Sequence, residues 1–208
     1  MSMERSCKRL RRMAPPRWKN LTITLFYARA IKRCLVSIYW FRNSLADPYR
    51  GGGGGSGGAL SIKKITASSA YKKYTAEKAI DGNDSTYWLY DRNAYDDYSR
   101  AMLHIRLTRP STVTELHLHN GGWKNDDRYW GYSRPKEISV CCYDRNDSFL
   151  YEKTFLLNDS GLGVESVLSL GSIADVDSIS VQVLSRYHGN DEKKKRFIAI
   201  SEISVYGD

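Results

Sequence analysis

The side chains with the most chemistry in them fall in two stretches. Between Asn120 and Pro135, Trp123, Tyr129, Trp130 and Tyr132 stand among Lys124, Asn125, Asp126, Asp127, Arg128 and Arg134. Four aromatic residues in a polar loop are costly to bury together, and an exposed ring offers an apolar face with polar groups around it. A sugar has the complementary form, an apolar C–H face and a rim of hydroxyls. Arg134 and Lys124 can donate to those hydroxyls, or to a sialic or uronic carboxylate. In the rival reading Trp123 and Tyr129 plug the end of the fold, and Arg134 pairs with Asp126 or Asp127. A second polar aromatic run, residues 91–98, brings Arg92 and Tyr95 to the same end, with Asp96 and Asp97 read as a solvated turn.

The other stretch is Asp81-Gly82-Asn83-Asp84, followed by Thr86 and Trp88. Ala76, Ala79 and Ile80 lie at helical spacing before it, so one apolar turn packs inward and the polar loop breaks it. The loop gathers hard oxygen donors beside a large apolar anchor, a combination that suits calcium, which takes six to eight oxygens. An ordinary polar turn is the alternative.

Catalysis is not expected. The histidines are His104, His117, His119 and His188. His117 and His119 share one strand face, with no third metal ligand in sequence reach. No G-x-S-x-G, H-E-x-x-H or phosphate-loop pattern occurs. The adjacent Asp126 and Asp127 lack the fixed separation that a glycosidase pair needs.

The elements that must position these loops are strands. Leu103, Ile105 and Leu107 alternate with polar neighbours, as do Leu116 and Leu118, Ile138, Val140 and Cys142, Ile179, Val181 and Val183, and Ile203 and Val205. Each run has the period of a half-buried antiparallel strand. The phase slips by one residue between Ile200 and Ile203, which predicts a bulge near Ser201-Glu202. No long helical pattern interrupts the strands, so the expected fold is an all-β sandwich of jelly-roll type.

Composition divides the chain. The formal net charge is +9, yet residues 1–50 hold twelve Lys/Arg against Glu4 and Asp47, and the remaining residues hold twenty Lys/Arg against twenty-one acids. The basic character therefore belongs to a head, residues 1–50, read as disordered or as a helix lying on a membrane surface. Residues 21–41 are interrupted by Arg29, Lys32 and Arg33, which argues against a spanning helix. The small residues around Ala28-Arg29-Ala30 imitate a signal-peptide cleavage site after a short apolar run. Residues 51–58 form a Gly/Ser linker, and residues 59–208 the folded module. A near-neutral module is not a nucleic-acid reader, which carries its positive charge on the folded face. Cys141 and Cys142 point to opposite faces of a strand and do not pair, so the module is held by its core.

Ala79-Ile80-Asp81-Gly82-Asn83 with Thr86 and Trp88 resembles the opening motif of discoidin domains, also called coagulation-factor 5/8 type C domains, which share a galactose-binding-like jelly roll with many carbohydrate-binding modules. Asn120-Gly121-Gly122-Trp123-Lys124, with Tyr129, Arg134 and Lys136, is similar to the NAD-glycohydrolase-type glycan-binding (translocation) subfamily. Two positions depart from that subfamily: Gly122 replaces a tyrosine, and Tyr132 an asparagine. The resemblance covers about residues 60–208 and implies a non-catalytic glycan-binding module, secreted or at the cell surface. It implies ligand contacts from Asn120, Trp123, Lys124, Tyr129 and Arg134, to which the reading of the loops adds Trp130, Arg92 and Tyr95. It further implies a structural calcium on the carboxylates of Asp81 and Glu202, the Thr86 hydroxyl and the backbone oxygens of Lys78 and Asn83. A protein- or phospholipid-docking module of the same fold, and a small glycosidase, are the alternatives. The oligomeric state stays open.

Overall fold

Alternating apolar residues dictate where each strand turns its sides, and the sheet follows. The computed structural model describes residues 57–91 and 100–208, so the expected head, most of the linker, and Arg92 and Tyr95 lie outside the described residues. The described residues form one compact unit within Gly54–Asp208. Eight strands run in chain order: β1 Gly58–Ala59, β2 Ile62–Ala67, β3 Trp88–Asp91, β4 Met102–Asn120, β5 Arg134–Tyr143, β6 Phe149–Leu156, β7 Ser166–Tyr187 and β8 Phe197–Gly207. Their order is β1-β8-β4-β7-β5-β6, with β2 added to β4 and β3 to β8, all antiparallel.

Two long strands turn this into a sandwich. The first part of β4 pairs with β2 and with the last part of β7; beyond the register break between Arg106 and Ser111, β4 pairs with β8 and with the first part of β7. Both strands thus pass from one layer to the other, bending where the ladder is interrupted. The inward residues are those the alternation selects: Leu103, Ile105, Leu107, Leu116, Leu118, Ile138, Val140, Cys142, Ile179, Val181 and Val183 are all buried in one core. Trp88 anchors that core and donates from its indole Nε1 to the Ser69 carbonyl at 2.8 Å. Cys141 and Cys142 are both buried and form no disulfide with each other, and burial pushes the Cys142 thiol up to about 12.

Three local features bear on the site. A 3₁₀ turn, Ala76–Ala79, places Ala76 and Ala79 in the core, as the helical spacing predicts. The expected bulge exists: His119 faces Glu202 while Asn120 faces Ile200, so Ser201 is skipped. The linker boundary needs correction, because Gly58 is already strand and pairs with Gly207. A Cβ at Gly57 would stand 2.7 Å from the Gly207 carbonyl oxygen, so the final glycines let two backbones approach closely.

Candidate functional site

The Asn120–Pro135 segment is not an open loop. It contains a six-residue helix, α1 Asp126–Gly131, capped by Asn125, whose side chain accepts from the Arg128 N–H at 3.0 Å. The helix folds two of the four aromatic residues inward: Tyr129 is 2 % exposed and Tyr132 4 %. The expectation of a rim of exposed phenols is therefore corrected. Burial is affordable because each hydroxyl is satisfied. Tyr129 donates to Asp159 Oδ1 at 3.1 Å and accepts from the Gly161 N–H at 3.2 Å, and Tyr132 accepts from Arg128 Nη1 at 3.2 Å. Burial first, then the Asp159 charge, pushes Tyr129 up to about 12.

Arg134 is also a framework group in this structure, at 2 % exposure. It donates from Nε and Nη2 to both oxygens of Asp159, at 2.7 and 2.8 Å, and from Nη1 to the carbonyls of Tyr129 and Tyr132, at 2.8 and 2.9 Å. Both sequence expectations for it, donation to a sugar and pairing with Asp126 or Asp127, give way to Asp159. That residue was invisible as a partner because it lies 25 positions away. Burial opposes ionisation of Asp159, but the Arg134 bonds outweigh it and hold the carboxyl below the usual range. Asn120 is likewise buried and donates from Nδ2 to the Pro135 carbonyl at 2.9 Å, closing the segment at its base.

What remains at the surface is Trp130, 39 % exposed, with Lys124 exposed and Trp123 half-buried. Trp130 stands edge-on to Tyr129 at 4.9 Å, with the Arg134 guanidinium 5.0 Å from its ring. Trp123 is fixed on three sides. Its indole lies flat on His119 at 3.9 Å and 6°, its Nε1 donates to the Asn120 carbonyl at 3.0 Å, and its backbone N–H donates to Ser201 Oγ at 2.8 Å. Ser201, the residue skipped by the bulge, donates in turn to the Gly121 carbonyl at 2.9 Å. Gly121 has φ +90°, and a Cβ there would meet the Arg134 side chain at 2.9 Å.

The Asp81 loop closes on itself beside Glu202. The Thr86 hydroxyl lies 2.8 Å from both Asp81 carboxylate oxygens, 3.0 Å from the Asn83 carbonyl and 3.5 Å from that of Lys78. Lys78 Nζ donates to Asp81 Oδ2 at 3.0 Å. Glu202 is 9 % exposed, and its Oε2 is buried without a hydrogen-bond partner. Burial, helped by the Asp81 and Asp84 charges, pushes Glu202 up to about 7, against the pull of the Gly82 N–H and His119. An orphaned carboxylate oxygen next to carboxylate, hydroxyl and carbonyl oxygens fits a hard cation. Among the described residues no three His, Cys, Asp or Glu side chains form a metal-binding group, so a cation here would rest in part on the Thr86 hydroxyl and backbone oxygens.

His117 and His119 have a carboxylate neighbour that the sequence did not reveal. Glu165 bridges them, Oε2 to His117 Nδ1 at 3.1 Å and Oε1 to His119 Nε2 at 3.2 Å, while Asp84 Oδ1 approaches His119 Nδ1 at 2.6 Å. The cluster ties the Asp81 loop to the segment before β7.

The fold defines the class: an antiparallel β-sandwich of the kind found in solved family 32 carbohydrate-binding modules and F5/8 type C domains. The chain is similar to the family 32 carbohydrate-binding module of C. perfringens NanJ, solved in complex with galactose, at 19 % identity and TM-score 0.53, over 71 % of this chain and 97 % of that one. It is similar to an F5/8 type C domain from Bacteroides fragilis at 15 % identity and TM-score 0.55, over 72 % and 97 %. It is similar also to the fucose-binding module SpX-3 of Streptococcus pneumoniae at 15 % identity and TM-score 0.53, over 72 % and 96 %. At these identities the likeness is one of fold. No protein-family model matches the sequence, and no curated protein matches it.

Proposed function

We propose that residues 59–208 are a non-catalytic glycan-binding module. The observation that carries this is Trp130, an exposed indole held edge-on by a buried tyrosine, with a buried arginine paired to the half-buried Asp159 beside it. A rigid aromatic platform loses little entropy on binding and presents a face for the C–H side of a pyranose. Lys124 and the half-buried Trp123 supply flanking polar and apolar contacts, while Asn120, Tyr129 and Arg134 hold the platform from beneath. Galactose and fucose are named for two neighbours of the same fold, which supports the sugar class.

A structural calcium on Asp81, Thr86, Glu202 and the carbonyls of Lys78 and Asn83 is part of the proposal, and the unpartnered Glu202 Oε2 supports it. The same reading includes the finer resemblance to the NAD-glycohydrolase-type subfamily, with Gly122 and Tyr132 as its departures. So does a place outside the cell or on its surface; among the described residues no helix is long and apolar enough to cross a membrane.

The test is a glycan array probed with wild type and Trp130→Ala. Loss of retention by about tenfold or more, at unchanged melting temperature, is the expected result. Equal binding by the two proteins removes the platform. Turnover of a chromogenic glycoside panel by wild type would show the reading of a pure binding module to be wrong.

A further inference from the structure

A second group of aromatic residues meets α1 at its C-terminal end, through the cap residue Tyr132. Tyr71 packs on Phe197 at 4.5 Å, Phe197 on Tyr132 at 6.3 Å, Tyr132 on Tyr87 at 5.4 Å, and Tyr87 stacks on Tyr74 at 5.1 Å and 8°. Tyr87, Tyr132 and Phe197 are buried, whereas Tyr71 and Tyr74 are half-buried and form the bridge pair of a turn whose corners are Lys72 and Lys73. Four cations lie against these rings. Lys72 is 5.0 Å from Tyr71, Lys73 5.9 Å from Tyr74, Arg128 5.9 Å from Tyr132, and Arg196 4.4 Å from Phe197 and 5.9 Å from Tyr71.

Three facts set this cluster apart from an ordinary solvated face. Among the described residues no carboxylate pairs with Lys72, Lys73 or Arg196, and Arg128 has only Asp127, at 3.8 Å. Arg196 Nε is buried with no hydrogen-bond partner. Lys72 has φ +53°, a left-handed conformation costly for a lysine, and both lysines of the turn are exposed. The module as a whole is near neutral, with twenty Lys/Arg against twenty-one acids after residue 50, so this is a local segregation of charge.

We propose that this tyrosine-backed basic strip is a subsite of the glycan-binding surface for acidic groups, taking a sulfate or carboxylate carried by a saccharide. The inference rests on the glycan-binding reading above and narrows its ligand class. Continuity favours a sugar over other anions: Arg128 and Tyr132 belong to the same short segment as Trp130, and a Cβ at Gly122 would lie 3.3 Å from the Tyr132 ring and 3.4 Å from Arg128, so the segment packs closely there. Charge-assisted bonds from lysine and arginine recognise the anionic oxygens, while half-buried tyrosine edges accept the sugar ring.

The experiment uses the full chain on an array carrying matched neutral, sulfated and uronic-acid forms of the same oligosaccharides. Three proteins are compared: wild type, the turn variant Lys72→Asn/Lys73→Gln, and a head variant with Lys8, Arg9, Arg11 and Arg12 changed to Gln. Asparagine is chosen at position 72 because it tolerates the left-handed backbone. The expected result is retention of acidic forms about tenfold above their neutral partners, lost in the turn variant and kept in the head variant. Whether the sulfated or the uronic forms respond identifies the anionic group. Neutral binding with no acidic preference, or a preference that survives the turn variant, overturns the subsite and leaves the glycan function standing. Absence of all binding overturns both. Phosphatidylserine vesicles are the counter-probe: if the turn variant is released from them while its array preference is unchanged, the strip reads lipid headgroups and the proposal fails.

Discussion

Arg134 and Asp159 show how one ion pair supports a surface it does not reach. The arginine side chain is 3 % exposed and spends four hydrogen bonds on protein groups, two on the carbonyls of Tyr129 and Tyr132 and two on the Asp159 carboxylate. Removing it leaves Asp159 unpaired and two carbonyls open. Arg134→Ala is expected to cost about 3 kcal/mol, roughly 6–12 °C in melting temperature for a domain of this size. Trp130→Ala, at an exposed position, should leave the melting temperature within about 2 °C. That contrast in thermal melts separates the strut from the platform. The pair also has a pH signature. Asp159 is held below its ordinary value, so its contribution is fully present above the unfolded value of about 4 and is lost as pH falls through the lower folded one. Melts between pH 5 and pH 2 should therefore fall more steeply for wild type than for Asp159→Asn; parallel curves would mean that the pair does not couple to folding.

At the scale of elements, the bulge in β8 and the cap of α1 do most of the positioning. The bulge drops Ser201 beneath the Gly121–Trp123 turn and sends Glu202 toward the Asp81 loop, so one extra residue serves both candidate sites. Ser201→Ala strands the buried Gly121 carbonyl and the Trp123 N–H, at a cost of about 2 kcal/mol measurable by urea unfolding. Asn125→Ala removes a side-chain cap worth about 1 kcal/mol. Since α1 is short, the loss should appear as weaker glycan retention through a loosened Trp130, with a small change in global stability. The alternation of β4, β5 and β7 was legible because one buried face leaves a period of two in the sequence. The helix α1 is weakly written: Asn125 followed by Asp126 and Asp127 is a helix-start signal, but six residues dense in aromatic side chains carry no helical period to extend it.

For the molecule as a whole, the calcium proposal is a linkage statement. A cation bound only by the folded state raises stability by about 2.7 kcal/mol at a concentration one hundred times its dissociation constant. Calcium added to chelator-treated protein should raise the melting temperature, and Glu202→Gln should abolish that shift while relieving the buried orphan charge. A melting temperature indifferent to calcium in wild type would leave the loop as a self-bonded turn.

From the sequence alone came the class of fold, the core positions, the bulge and the segregation of charge into a head, because each of these writes a local period or composition into the chain. Which aromatic residues face water was decided by tertiary structure, and so were the partner of Arg134, the carboxylate joining His117 to His119, and the basic strip along Tyr71 and Tyr74. Those outcomes depend on contacts between residues 25 to 126 positions apart, such as Arg134 with Asp159 and Tyr71 with Phe197. Burial of a ring or a charge is a property of what packs over it, and no period in the local sequence records that neighbour.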